Sequence, residues 1–111
     1  MQIASRKSGD VTIMDFVGNI KTNEDYNDFK NAINEAIGEG KQKLLLNFKE
    51  IHFINSSGLG RLILAAKQTR ENGGSLKVAH LSSDLRELFS FTKLDSKIPL
   101  YQTEEDALKD F

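Results

Sequence analysis

Ser56 and Ser57, adjacent in Asn55-Ser56-Ser57-Gly58-Leu59-Gly60, are the residues best placed to do chemistry in this 111-residue chain. A pair of hydroxyls can supply a nucleophile, a phosphate acceptor or a helix cap, and the neighbouring residues separate these roles. A serine hydrolase elbow carries glycine two residues before and after its nucleophile. Ile54 stands two before Ser56 and Asn55 two before Ser57, so acyl-enzyme chemistry has no support. Gly58-Leu59-Gly60 opens like a dinucleotide loop, but Ile63 occupies the place of the third glycine, and no Gly-Lys-Ser/Thr phosphate cradle occurs. With no Cys and only His52 and His80, the chain lacks thiolate nucleophiles, disulfides and the ligand set of most catalytic metal sites. No cofactor or metal is expected, and each histidine reads as a packed or solvated side chain. A hydroxyl at a helix start is different, because free N–H groups and the positive end of the helix dipole accommodate a phosphate with little distortion. From Ile51 through Arg70 there is no Asp or Glu, whereas Arg61, Lys67 and Arg70 are cationic, which predicts a cationic surface around the serines. The plainer reading of the same residues is a serine N-cap and a glycine-assisted turn on a solvated helix face.

The elements that must hold these residues follow from periodicity. Gln2 to Val17, alternating around Val11 and Ile13 and broken at Ser8-Gly9-Asp10, predicts a β-hairpin. Tyr26, Phe29, Ile33 and Ala36 or Ile37 recur at helical spacing, predicting a helix over about residues 24–37 with Thr22 or Asn23 as cap and Gly38 as stop. Leu44 to Phe48, bounded by Lys41, Lys43 and Lys49, suits a strand buried on both faces. Leu59, Leu62, Ile63 and Ala66 define a second helix ending at Asn72-Gly73-Gly74, and Leu76 to Ala79 resumes strand character. Strand, helix and strand form a βαβ unit with a right-handed crossover, and the serines start its helix. Ser82 or Ser83 caps a helix bearing Leu85, Leu88 and Phe89, Ile98-Pro99-Leu100-Tyr101 suits an edge, and a last helix begins at Thr103 with Ala107, Leu108 and Phe111 on one face. The fold class is α/β, a small mixed β-sheet of four or five strands with about four α-helices.

Composition narrows the partners. At roughly 150 residues per domain the length suits one domain, here residues 1–111. Fifteen Lys and Arg against sixteen Asp and Glu leave a formal charge of -1, so no global field favours nucleic acid or an anionic membrane. The longest apolar run, Leu62-Ile63-Leu64-Ala65-Ala66, falls far short of the ~20 residues a membrane-spanning helix needs, and Met1 to Lys7 has no apolar signal core. A cytoplasmic protein that is a monomer or weak dimer is expected.

The stretch Phe53 to Gly60, ahead of an amphipathic helix ending in Gly73-Gly74, resembles the STAS domain family, whose best-known members are bacterial anti-sigma factor antagonists. Gly18 closing the second strand, Leu44 to Phe48, Leu85 to Phe89 and Glu104 to Leu108 fall in the family's order, so the resemblance covers nearly the whole chain. It implies a non-enzymatic phosphorylation switch. The position matching the family's phosphoserine is Ser56, with Ser57 as a structural hydroxyl and Asn55, Gly58, Leu59 and Gly60 completing the turn. The implied partners are an anti-sigma factor that is a serine/threonine kinase, bound when Ser56 is free and released when it is phosphorylated, and a serine phosphatase that resets the switch. Docking is expected over Lys21, Thr22, Asn23 and Arg61. Two residues depart from the family pattern: Asn55 and Lys21 stand where acidic residues are common. The alternative implied by the same fold is a scaffold or accessory subunit of another signalling or lipid-transport assembly.

Overall fold

The computed structural model describes residues 1–111. Strands β1 (Gln2–Ser8) and β2 (Val11–Ile20) form the expected antiparallel hairpin, with Ser8 opposite Val11 and Gly9 at φ 61° in the two-residue turn. A positive φ there matches the twist of the flanking strands. Helix α1 (Asn23–Gly38), strand β3 (Lys43–Ile54), helix α2 (Ser56–Glu71), strand β4 (Ser75–Ala79), helix α3 (Ser83–Phe91), a 3₁₀ turn (Leu94–Ser96), strand β5 (Leu100–Tyr101) and helix α4 (Glu104–Lys109) follow.

The sheet runs β1-β2-β3-β4-β5, with β1 antiparallel to β2 and every later pair parallel. Each parallel step moves one strand along in the same direction. Right-handed crossovers therefore place α1, α2 and α3 on one face. Alternation along β3 shows the two faces: Leu44, Leu46 and Phe48 join the main core with those helices, while Leu45 joins Val11, Ile13, Ala79 and Ala107 beneath α4. Phe16 packs on Phe29 and Phe48 with ring centroids 5.6 and 5.4 Å away, tying β2, α1 and β3 together. Arg6 of β1 bridges Asp15 of β2, at 2.8 Å, and Glu104, which anchors the start of α4 to the hairpin and holds the Asp15 carboxyl below its ordinary range. No helix is long and apolar enough to cross a membrane.

The mixed five-stranded sheet with four α-helices agrees with the sequence reading, and the differences have physical causes. The strand expected at Leu44 to Phe48 continues to Ile54, and β2 continues past Gly18 to Ile20. Register shifts between Asp15 and Val17 and between Gly18 and Asn19 break the alternation there, so periodicity fails although backbone pairing persists as far as Ile20 with Ile54. Helix α1 ends at Gly38 as expected, with Glu39 as its C-cap, and the chain closes just beyond it. Gly40, at φ 78°, donates to the Ile37 carbonyl and Lys41 donates to that of Ala36, a double closure that a left-handed residue permits. A further βαβ unit, β2-α1-β3, joins the one anticipated around α2.

Candidate functional site

Asn55 builds the site. Its extended backbone caps α2, its Oδ1 accepts from the Gly58 amide at 2.8 Å, and its carbonyl accepts from the Leu59 amide at 3.0 Å. Its Nδ2 donates to the Lys21 carbonyl at 3.2 Å and to the Tyr26 hydroxyl at 2.6 Å. A carbonyl can only accept and an amide N–H can only donate, so these partners determine which way the side-chain amide points. One side chain thus joins the end of β2, helix α1 and the start of α2. Asn55→Asp keeps the cap but sets a carboxylate oxygen against the Lys21 carbonyl. It is expected to cost about 1 kcal/mol, and Asn55→Ala, which loses the cap as well, about 2 kcal/mol. Urea denaturation of the three proteins checks the order; an aspartate as stable as the asparagine would show that the Lys21 contact contributes nothing.

With Asn55 as cap, the plainer reading of the serines as an N-cap does not hold. Ser56 and Ser57 are the first two residues of α2, both exposed, and neither hydroxyl is committed to a hydrogen bond within the chain. Ser57 is therefore not the structural hydroxyl it was expected to be. Gly58 faces inward: a Cβ there would lie 2.8 Å from Ile54 Cγ2 and 2.9 Å from both Ile20 Cγ2 and the Ile20 carbonyl oxygen. Leu59 is buried beside it, whereas Gly60 faces open space with nothing within 4 Å of an added Cβ.

The junction between β2 and α1 lies against this helix start, joined to it by the bond from Asn55 to the Lys21 carbonyl. Lys21, Thr22 and Asn23 are exposed. Thr22 also caps α1, accepting from the Asp25 amide at 3.1 Å, while Asp25 Oδ2 accepts from the amides of Lys21 and Thr22 at 3.1 Å. Burial pushes the Asp25 carboxyl up, but the Lys21 and Thr22 donors outweigh it and hold the group below its ordinary value. It remains an ionised acceptor that makes this turn rigid. Arg61 is exposed, with its guanidinium 5.3 Å from the Tyr26 ring centroid. Tyr26 was legible only as a core position of α1; its further roles, hydrogen-bonding Asn55 and supporting Arg61, depend on a helix-to-helix contact that carries no local signal.

The predicted cationic surface around the serines is only partly assembled. Along α2 at 1.5 Å per residue, Arg61 is about 8 Å from Ser56, but Lys67 and Arg70 are about 16 and 21 Å away. They belong to the other end of the helix. His52 is exposed on β3, and His80 Nε2 accepts from the Glu104 amide at 3.3 Å, so neither histidine hydrogen-bonds a serine.

Residues 2–107 match the STAS domain. The anti-sigma-B factor antagonist of Bacillus subtilis is 30% identical over 73 residues, the match covering 66% of this chain and 67% of that one. In three of the relatives this chain matches, all anti-sigma factor antagonists or putative ones, the aligned stretch spans 57% to 67% of their own length, below two thirds in two. Among solved structures, an anti-sigma factor antagonist from Mycobacterium paratuberculosis superposes with a TM-score of 0.87 at 22% identity, covering 98% of this chain and 92% of that one. The Bacillus cell fate determinant SpoIIAA in its phosphorylated form superposes with a TM-score of 0.73 at 20% identity, covering 98% of both chains.

Proposed function

The chain belongs to the STAS domain family, and from that premise we propose that it is a non-enzymatic anti-sigma factor antagonist whose switch is a phosphate on Ser56. In the free form it binds an anti-sigma factor that is a serine/threonine kinase; in the phosphorylated form it lets go, and a serine phosphatase restores it. The observation that carries this reading is the uncommitted, exposed Ser56 hydroxyl at the start of α2, with Lys21, Thr22, Asn23 and Arg61 arranged beside it. Support also comes from the relatives named as antagonists and from a Bacillus protein of the same fold that exists in a phosphorylated form.

The geometry suits a local switch. A phosphate adds about -1.5 to -2 charge and three acceptor oxygens at a helix N-terminus, where the dipole favours anions. The domain therefore tolerates the modification, while an apposed partner surface loses its fit. Asn55 favours this more than an aspartate would, because no carboxylate stands next to the phosphoserine.

Incubation with the cognate kinase and ATP, followed by phosphopeptide mapping, tests the site: the phosphate is expected on Ser56, and none is expected in Ser56→Ala. Because Ser57 is exposed too, modification at Ser57, or at neither serine, would reject the assignment. Gly60 supplies an independent check. Inside an exposed helix face a glycine costs about 1 kcal/mol relative to alanine, and no contact within the chain requires it. Gly60→Ala is expected to raise stability by about 0.5–1 kcal/mol and to weaken kinase binding about tenfold, since a partner lying flat on this turn meets the new methyl. Greater stability with unchanged affinity would place the partner elsewhere.

A further inference from the structure

Lys67 and Arg70, too far from Ser56 to serve it, meet a third cation at the opposite end of α2. A cavity of about 390 Å³ lies between α2 and the 3₁₀ turn, with Ile63, Ala66 and Ile98 as an apolar floor and Lys67, Arg70 and Lys97 around it. Lys67 and Arg70 are three residues apart and so share one helix face. Lys97 arrives through the 3₁₀ turn, which is pinned by buried Leu94 and by the Lys97 amide donating to the Leu94 carbonyl at 2.9 Å. Three cations elsewhere have carboxylate partners: Arg6 with Asp15 and Glu104, Lys41 with Glu39, Lys43 with Asp10. The three cations of this cavity have no ion pair and no side-chain hydrogen bond, and the carboxylates nearest in sequence, Glu71 and Asp95, do not line it. Three like charges lining one cavity without a counter-charge repel one another. An anion held between them removes that cost.

We infer that this cavity binds a small organic phosphate, its phosphoryl group among Lys67, Arg70 and Lys97 and its apolar body on Ile63, Ala66 and Ile98. A dianion matches three cations better than a monocarboxylate does, and the Arg70 guanidinium presents a planar fork suited to phosphoryl oxygens. The volume lies within the roughly 300–1,000 Å³ of ordinary small-molecule sites. At about 16 Å or more from Ser56 along the helix, the site is separate from the proposed switch.

The test is an NMR titration of the full, ¹⁵N-labelled chain with phenyl phosphate, inorganic phosphate and benzoate at constant ionic strength, which needs no kinase and so stands or falls apart from the Ser56 reading. Phenyl phosphate is expected to shift the amides of residues 63–70 and 96–98 and to bind at least tenfold more tightly than either other probe. The Lys67→Ala, Arg70→Ala double variant is expected to lose at least tenfold in affinity, and Lys43→Ala none. Because the substituted side chains are at the surface, an unchanged spectrum elsewhere verifies the fold. Equal affinity for all three probes, shifts centred on Ser56, or full binding by the double variant would overturn the proposal.

Discussion

Gly58→Ala is expected to lower the thermal midpoint by roughly 5–15 °C, the consequence of about 1–3 kcal/mol of overpacking in a domain of this size. The added methyl would come within 3 Å of two isoleucine methyls and of the Ile20 carbonyl oxygen. The side chains can rotate only into a filled core, since Ile20 and Ile54 are 1% and 2% exposed. The carbonyl cannot move freely either, because it accepts from the Asn55 amide at 3.2 Å. Relief therefore requires α2 to lift away from the ends of β2 and β3, which disturbs the turn that presents Ser56. Alanine's better helix propensity works against the loss by about 1 kcal/mol, so a net fall measures the steric clash. Gly60→Ala, two residues away and unobstructed, is the matched control with the opposite sign. Thermal unfolding followed by circular dichroism decides the matter: a midpoint for Gly58→Ala equal to or above that of the parent would show that the helix start is not seated on Ile20 and Ile54.

Ser56→Asp is expected to weaken binding to the anti-sigma factor kinase by about 30-fold to 1,000-fold, whereas Ser56→Ala stays within about fivefold of the parent. Placing an unpaired carboxylate inside an interface costs roughly 2–4 kcal/mol, and each 1.4 kcal/mol is a factor of ten. Removal of the hydroxyl leaves no charge, and since Ser56 makes no hydrogen bond within the chain, the alanine also leaves no orphaned partner. The stability of the aspartate variant moves the other way. An acidic residue in the first turn of α2, which has none, gains a few tenths of a kcal/mol from the helix dipole. Loss of binding together with an unchanged or slightly raised thermal midpoint therefore separates the switch from unfolding. Isothermal titration against the kinase supplies the affinities; equal affinities for parent, alanine and aspartate would reject Ser56 as the controlling residue.

The elements were legible where a local rule suffices. Helical spacing of Tyr26, Phe29, Ile33 and Ala36 located α1, the Leu44-Leu45-Leu46 run located a strand covered on both faces, and Thr22, Ser82 and Thr103 each cap the helix that follows. Local rules failed where the physics is not local. The last six residues of β3 pair with β2 through shifted register, so Ile51 and Ile54 face the core without the alternation that would announce them. The 3₁₀ turn at Leu94 to Ser96, which no periodicity marks, is held by the burial of Leu94.

For the site, the residue types of Asn55 to Gly60 were enough to discard hydrolase and nucleotide-loop chemistry and to point at a serine on a helix start, because those exclusions depend only on spacing along the chain. Which residue caps that helix was a tertiary outcome. Asn55 outcompetes the serines because Lys21 and Tyr26, brought from β2 and α1, satisfy its amide while Gly58 satisfies its oxygen. The same long-range contacts leave both hydroxyls free and put Arg61 over Tyr26. Charge shows the division most plainly. The carboxylate-free stretch from Ile51 to Arg70 is a property of the sequence, but a helix 16 residues long distributes its cations between two ends, and only the folded chain adds Lys97 to Lys67 and Arg70.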